Sequence, residues 1–346
     1  MDDFYEFMDY VEDEGYIRMP RNIIRDMENP LEKYNNNELL KRYRFSRETI
    51  QHILLNLVYP AEPFIDQRGL PICPITKLCV ALRFYASASI QRVIGDTGSM
   101  SQTTVHRIIQ EVSENLARNL RQYVKFPDRN GMNNNRNLFF EIGGFPGVSG
   151  CVDGTHIEIK NPGGENAEVF RNRKGWMSLN IQVIAGPRCE ILDIVIRWPG
   201  SAHDSRIFNN SAVRLRFEQE LLTGLLLGDS AYQQTHYLFT PALNPATRAQ
   251  NLYINAHIRT RNVVERTFGI WKSRFRCLAT CLQYKLRNVV RIIAATAVLH
   301  NIAILRGEQH VQEDFVDRVV DGPPVAVIPA RENAIRAAFI QRHFNI

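Results

Sequence analysis

Three carboxylates in this sequence sit where an acid could do chemistry. Asp153 interrupts a run of apolar and small residues, VSGCVDGTHIEIK, from 148 to 160. Asp229 ends the apolar run LLTGLLLGD and is followed by Ser230, Ala231 and Tyr232. Glu265 falls in the first turn of a predicted helix, in NVVERTFGIWKSRFRC. Oxygen donors of this kind suit hard divalent ions such as Mg²⁺ or Mn²⁺. Two such ions about 3.5–4 Å apart can activate a water and stabilise the leaving oxygen in phosphodiester cleavage. The acids are 76 residues apart (153 to 229) and 36 apart (229 to 265), so the fold must bring distant segments together.

A fourth acid, Asp204 in WPGSAHDSRIF, has two readings. It is either an added metal ligand, or a support for one, or the N-terminal cap of the next helix. Around Glu265 the residues Val264, Phe268, Trp271, Phe275 and Leu278 recur at spacings of 4, 3, 4 and 3, which predicts one buried helix face. Glu265, Gly269, Lys272 and Arg276 repeat the spacing one residue on. An acid followed by cations on one line suits a metal and then phosphates; an ordinary surface charge pattern has the same spacing. Other catalytic schemes lack their residues. There is no Gly-x-Ser-x-Gly elbow and no Gly-x-x-x-x-Gly-Lys-Ser/Thr loop. His156, His203, His236 and His300 are scattered, and His300 in AVLHNIA is expected to be a hydrogen-bonded core residue.

The elements that must position these groups divide the chain. Residues 1–35 read as an acidic arm, since 1–38 hold 11 Asp/Glu against 4 Lys/Arg. Residues 36–126 read as helical, with apolar-faced helices over 39–57 and 75–88 and a helix-turn-helix over 89–120. In its second helix Val105, Ile108, Ile109, Val112 and Leu116 form one face, and Ser101 can cap it. Gln102, Thr103, His106 and Arg107 would then point outward where a DNA-reading helix places its contacts, a layout that small helical domains also use without DNA. Residues 127–147 read as a polar, Gly/Pro-rich linker. Strands follow at 148–160, 179–185 and 191–198, then a helix over 204–222, a short apolar run to Asp229, and helices over 263–278 and 288–305. This order predicts an α/β fold with a mixed sheet over 148–305. Residues 306–346 read as a polar tail with one helix near 332–344.

Composition narrows the partners. The net charge is +6, and 257–291 carry nine Lys/Arg against one acid, which fits a polyanion such as DNA and equally a solvated surface. No run of about 18 apolar residues occurs, so no membrane span is expected. The N-terminus has no secretory pattern. The six cysteines include no Cys-x-x-Cys pair, which argues against structural zinc and for free thiols in the nucleus or cytoplasm. Cys277 and Cys281 read as core residues.

The strings GFPGVSGCVDGTHIEIK, NRKGWMSLNIQVI, WPGSAHDSRIF, LLGDSAY, VVERTFGIWKSRFRCL and AVLHNIA, in order from 144 to 304, resemble the PIF/Harbinger transposases and the nucleases descended from them. PITKLCVALRFYASAS in the helical part is also similar. The resemblance implies a ribonuclease-H-like mixed sheet with flanking helices, preceded by a small all-helical domain. It implies an Asp-Asp-Glu set at Asp153, Asp229 and Glu265, with Asp204 as the usual additional acid and a divalent cation (Mg²⁺ or Mn²⁺) as cofactor. Hydrolysis of DNA that leaves a 3′-OH is the implied reaction. Arg173, Lys174, Lys272 and Arg276 are the expected phosphate contacts. The family also implies a Myb-like DNA-binding partner protein, which the helical domain would meet in place of a specific DNA sequence; homo-oligomers are a further expectation. The competing reading is a catalytically silent, domesticated descendant acting as a DNA- and partner-binding regulator.

Overall fold

The structure is a computed structural model that describes residues 29–60, 72–88, 100–309 and 334–345. The acidic arm through residue 28 and the first helix of the expected helix-turn-helix lie outside the described residues.

The chain opens with α1 (Pro30–Lys33), α2 (Asn36–Tyr43) and α3, a π-helical Thr49–Leu54 that continues as an α-helical Leu55–Val58. A single helix over 39–57 is thus corrected to two, because Arg44 ends α2 in the left-handed region at φ 69°. Next come α4 (Pro74–Ser87), α5 (Gln102–Ala117), α6 (Leu120–Tyr123) and α7 (Arg129–Gly143). Ser101 caps α5 as its sequence predicts, accepting from Thr104 N at 3.2 Å. All five apolar positions of the α5 face are buried. α7 occupies the segment expected to be a linker. Asp128 starts it by accepting from Gly131 N at 2.8 Å, and Phe139 anchors it in the core. Its Asn-rich outer face hides a helical period that Met132, Asn135 and Phe139 carry on the inside.

Five strands follow: β1 (Val148–Glu158), β2 (Ser178–Ala185), β3 (Ile191–Pro199), β4 (Leu225–Leu227) and β5 (Leu238–Phe239), in the sheet order β3-β2-β1-β4-β5. β3, β2 and β1 pair antiparallel, while β1, β4 and β5 pair parallel. Between β3 and β4 stand α8 (Asp204–Asn209) and α9 (Ala212–Glu218). The expected single helix breaks where Ser211 caps α9, accepting from Arg214 N at 3.3 Å. The last elements are α10 (Arg248–Arg274), α11 (Leu286–Leu305) and α12 (Ala334–Phe344).

Strand alternation splits the core into two layers. Val152, Ile184, Leu192 and Leu226 face α8 and α9 through Phe208, Val213 and Phe217. Cys151, Val183, Ala185 and Leu227 face the other way, into the larger core that contains Val263, Val264, Phe268 and Trp271 of α10. Burying each such side chain contributes about 1.5–3 kcal/mol. α5 packs against α4 and α11, so the helical segment and the sheet share that larger core. α11 is long and apolar enough to cross a membrane by length and composition, but 78% of its apolar window is buried inside the protein, as in a core helix. His300 on α11 is buried and pairs through Nε2 with Cys189 O at 2.8 Å, as its setting predicts. The helix expected in the tail forms as α12 and seats Ile340 and Phe344 in the core.

Candidate active site

β1 and β4 run parallel with Cys151 opposite Leu227. Two residues beyond each partner come Asp153, midway along β1, and Asp229, just past the end of β4, close enough for each charge to be felt by the other. Asp229 turns on itself there, accepting from Ala231 N at 2.9 Å. Cys151 faces α10, where its thiol donates to Thr260 O at 3.4 Å. Alternation aims Asp153 the same way. Its Oδ2 accepts from Arg261 Nη1 at 2.9 Å. Arg261 Nη2 also donates to Glu265 Oε1, one turn along α10. One guanidinium therefore ties together two of the three predicted acids.

Glu265 is not in the first turn of its helix as its sequence suggests. α10 begins fifteen residues earlier than expected, with a capping box between Thr247 and Gln250. The inward positions of that added length include His257 and Thr260, polar residues that mask the apolar period. They are satisfied locally: His257 Nε2 lies 3.2 Å from Phe239 O, and Thr260 Oγ1 donates to Ala256 O at 2.8 Å.

Asp204 approaches from the opposite face of β1. Gly154 follows Asp153 and points to that face; a Cβ built on it would stand 2.3 Å from Asp204 Oδ1. Asp204 Oδ1 accepts from Asn180 Nδ2 at 2.7 Å, and Asp204 O accepts from Gln182 Nε2 at 3.0 Å. The N-cap of α8 is His203, so the cap reading of Asp204 is corrected: its carboxylate is committed to β2. Gln182 Nε2 also donates to the Tyr232 hydroxyl at 3.1 Å, and this buried phenol stands in the field of Asp204, Asp153 and Asp229.

The electrostatics follow from this crowding. Burial pushes the Asp153 carboxyl up to about 7, opposed by Arg261 and reinforced by Asp229 and Asp204. Burial also raises Asp204, against the Asn180 hydrogen bond, with Asp229 adding to the rise. Such a cluster favours a cation. Among the described residues no three His, Cys, Asp or Glu side chains converge tightly enough to hold a metal ion. Arg261 lies between Asp153 and Glu265 instead. The donors are all carboxylate oxygens, the class that Mg²⁺ and Mn²⁺ prefer, and the guanidinium marks where positive charge is accommodated.

The predicted cations separate into two kinds. Arg173 and Lys174 are exposed on the turn before β2, and Arg173 Nη2 donates to His203 Nδ1 at 2.6 Å, beside Asp204. Lys272 is only 5% exposed and lies in the field of His156, so its reading as a surface phosphate contact is corrected. It sits beside Trp271 on the packed side of α10. Arg276 falls past the end of α10 in a 3-10 turn, Arg276–Ala279, and leaves the line of Glu265 and Lys272. In α5, Gln102, Thr103 and Arg107 are exposed, while His106 stacks on Tyr284 at 5.1 Å and is half-buried. Cys277 is buried and Cys281 only half-buried.

Arg261, Asn180, Gln182 and Tyr232 are site residues that sequence reasoning misses. Arg261 carries a signal, being four residues before Glu265 and hence on the same helix face. Asn180 and Gln182 carry another, as amides on one face of an apolar strand.

Comparison with known proteins identifies the family. The DDE superfamily endonuclease family matches residues 152–301, which include all four acids. The mouse protein named "Putative nuclease HARBI1" is 34% identical over 89% of this chain and 90% of its own. Its human counterpart of the same name is 35% identical over 78% of each chain. "Protein ALP1-like" of Arabidopsis thaliana is 27% identical over 82% of this chain and 72% of its own. No solved structure matches the chain. With the mixed sheet in place and a relative aligned along nearly the whole length, the chain belongs to the DDE superfamily endonucleases, among the Harbinger transposase-derived nucleases.

Proposed function

We propose that this protein hydrolyses phosphodiester bonds of DNA with the help of divalent cations, at a site built by Asp153, Asp229 and Glu265. The observation that carries the reading is the β1–β4 register, which ends at Cys151 opposite Leu227 with Asp153 and Asp229 each two residues further on, together with the Arg261 bridge from Asp153 to Glu265. Asp153, Asp229 and Glu265 would hold Mg²⁺ or Mn²⁺, with Asp204 beside them on Asn180. The cations supply Lewis-acid stabilisation of the charge that develops on the phosphate oxygens.

The chain's own residues do the rest. Asn180 and Gln182 fix Asp204 to the sheet, so its carboxylate keeps its place as the DNA enters. Arg173 and Lys174 offer exposed positive charge at the rim on the Asp204 side, where a DNA backbone can be neutralised. Gly154 leaves room for Asp204 over β1. A Myb-like DNA-binding partner, a nuclear and cytoplasmic location and self-association belong to the same reading; the exposed first turns of α5 are the surface offered to a partner.

The test is nicking of supercoiled plasmid by the purified protein in Mn²⁺, Mg²⁺ or EDTA, beside Asp229→Asn. Metal-dependent nicking that disappears in the variant is expected. Equal nicking by Asp229→Asn would overturn the assignment. Salt-sensitive DNA binding with no product in any metal, with or without a Myb-like partner, would favour the catalytically silent regulator.

A further inference from the structure

The bridge made by Arg261 has a cost for any cation that needs the same oxygens. Asp153 Oδ2 and Glu265 Oε1 are each engaged by a separate nitrogen of one guanidinium. A charge-assisted pair of this kind is stronger than a neutral hydrogen bond, and its fork geometry fixes both acceptors at once. Helix geometry alone does not favour it. Within α10 the arginine precedes the glutamate, the weaker order for an i, i+4 pair, so Asp153 from β1 is what draws the guanidinium inward. The side chains are graded in exposure: Asp153 at 17%, Arg261 at 20% and Glu265 at 51%. The guanidinium thus covers the inner acid and borders solvent through the outer one.

We propose that Arg261 is a resident counter-ion that a divalent cation must displace, and that the released guanidinium then serves as a positioning residue for the DNA phosphate. This rests on the reading of Asp153 and Glu265 as cation-holding acids. In the metal-free protein Arg261 offsets the repulsion among the carboxylates. When the cation arrives, Arg261 loses both acceptors and remains on α10 facing the same place. A phosphate then becomes its natural partner, because it presents paired anionic oxygens to a planar fork. Cation binding and DNA binding are coupled through one side chain, and each favours the state that accepts the other.

The experiment measures Mn²⁺ binding by titration calorimetry and thermal unfolding in EDTA for the full chain, Arg261→Gln, Arg261→Lys and Asp229→Asn. DNA binding is measured separately in Ca²⁺. Arg261→Gln is expected to bind Mn²⁺ about ten-fold more tightly than wild type, a coupling in the usual range between linked sites. Its melting temperature in EDTA falls, and Mn²⁺ restores it by a larger margin than in wild type. Its DNA affinity in Ca²⁺ drops. Arg261→Lys, which keeps the charge but cannot bridge two carboxylates, falls between the two in Mn²⁺ affinity and serves if the glutamine variant does not fold. Mn²⁺ affinity at or below the wild-type value in the folded variants overturns the exchange while leaving the carboxylate site intact. Absence of Mn²⁺ binding by wild type and Asp229→Asn alike removes the carboxylate reading, and the exchange with it.

Discussion

Asn180 Nδ2 donates at once to Asp204 Oδ1, at 2.7 Å, and to Ala202 O, at 3.0 Å. One amide on β2 therefore fixes both the carboxylate and the turn that delivers it. Nothing else in the described contacts of that carboxylate comes from β2. Groups that orient a metal-binding side chain typically affect metal affinity or activity 10–100-fold, roughly, when removed. Asn180→Ala is expected to lower the nicking rate by about ten-fold or more, with the loss of a buried hydrogen bond costing about 1–3 kcal/mol of stability. Rate and urea midpoint, measured together, check this. Wild-type cleavage by the variant would show that Asp204 has no part in the site.

Gly154 makes a sharper test because its effect on folding is small. A methyl group there would meet Asp204 Oδ1 at 2.3 Å, which is too close to tolerate. The obstructed atoms are the end of a side chain, so the carboxylate moves and the backbone does not. Gly154→Ala should unfold within a few degrees of wild type, a shift that corresponds to about 1 kcal/mol in a chain this size. Its cleavage should fall as far as that of Asp204→Ala. Normal cleavage with a displaced melting temperature would assign Gly154 to packing alone.

Much of this site is legible in the sequence, and the part that is not has a physical cause. Asp153 and Asp229 stand out because each interrupts or ends an apolar strand, and β1 and β4 keep that strand pattern. Glu265 is legible by its position next to a clean 4-3-4-3 apolar face, all of which is buried. The illegible places are those where local polarity disguises burial. The Asn-rich stretch before β1 is a helix with its apolar residues inside, and the first half of α10 buries His257 and Thr260. Lys272 reads as a surface cation because charge suggests solvent, yet the helix turns it inward beside Trp271. Arg261 is easily overlooked because an arginine four before a glutamate looks like an ordinary surface pair; only the tertiary contact with Asp153 shows otherwise.

His257 makes folding stability depend on pH. Burial holds its imidazole down at about 4, from an ordinary value of 6.5, with nearby Arg261 and Arg336 acting in the same direction. Above 6.5 the ring is neutral in both the folded and unfolded chains and contributes no pH dependence. Between 6.5 and 4 only the unfolded chain takes up a proton, so stability is lost as pH falls through that window. At pH 5 the loss is about 2 kcal/mol from this residue. Urea unfolding at pH 7 and pH 5 should show a smaller decline in His257→Gln than in wild type. Parallel declines in the two proteins would refute the assignment.

The two kinds of cation near the site should part company in DNA binding. Arg173 and Lys174 are exposed, whereas Lys272 is enclosed. Each duplex phosphate neutralised adds about 0.9 to the slope of log affinity against log salt. Arg173→Ala and Lys174→Ala should each weaken binding in Ca²⁺ and reduce that slope by about one. Arg173→Ala carries a second consequence, because its guanidinium also holds His203 at the start of α8. Lys272→Met should leave the slope unchanged and act on thermal stability instead, since its ammonium lies beneath the surface among packed side chains. Fluorescence anisotropy across a salt series separates the cases. A reduced slope for Lys272→Met would mean that α10 opens enough on DNA to bring the buried lysine to a phosphate, and an unchanged slope for Arg173→Ala and Lys174→Ala would move the DNA path away from the β2 turn.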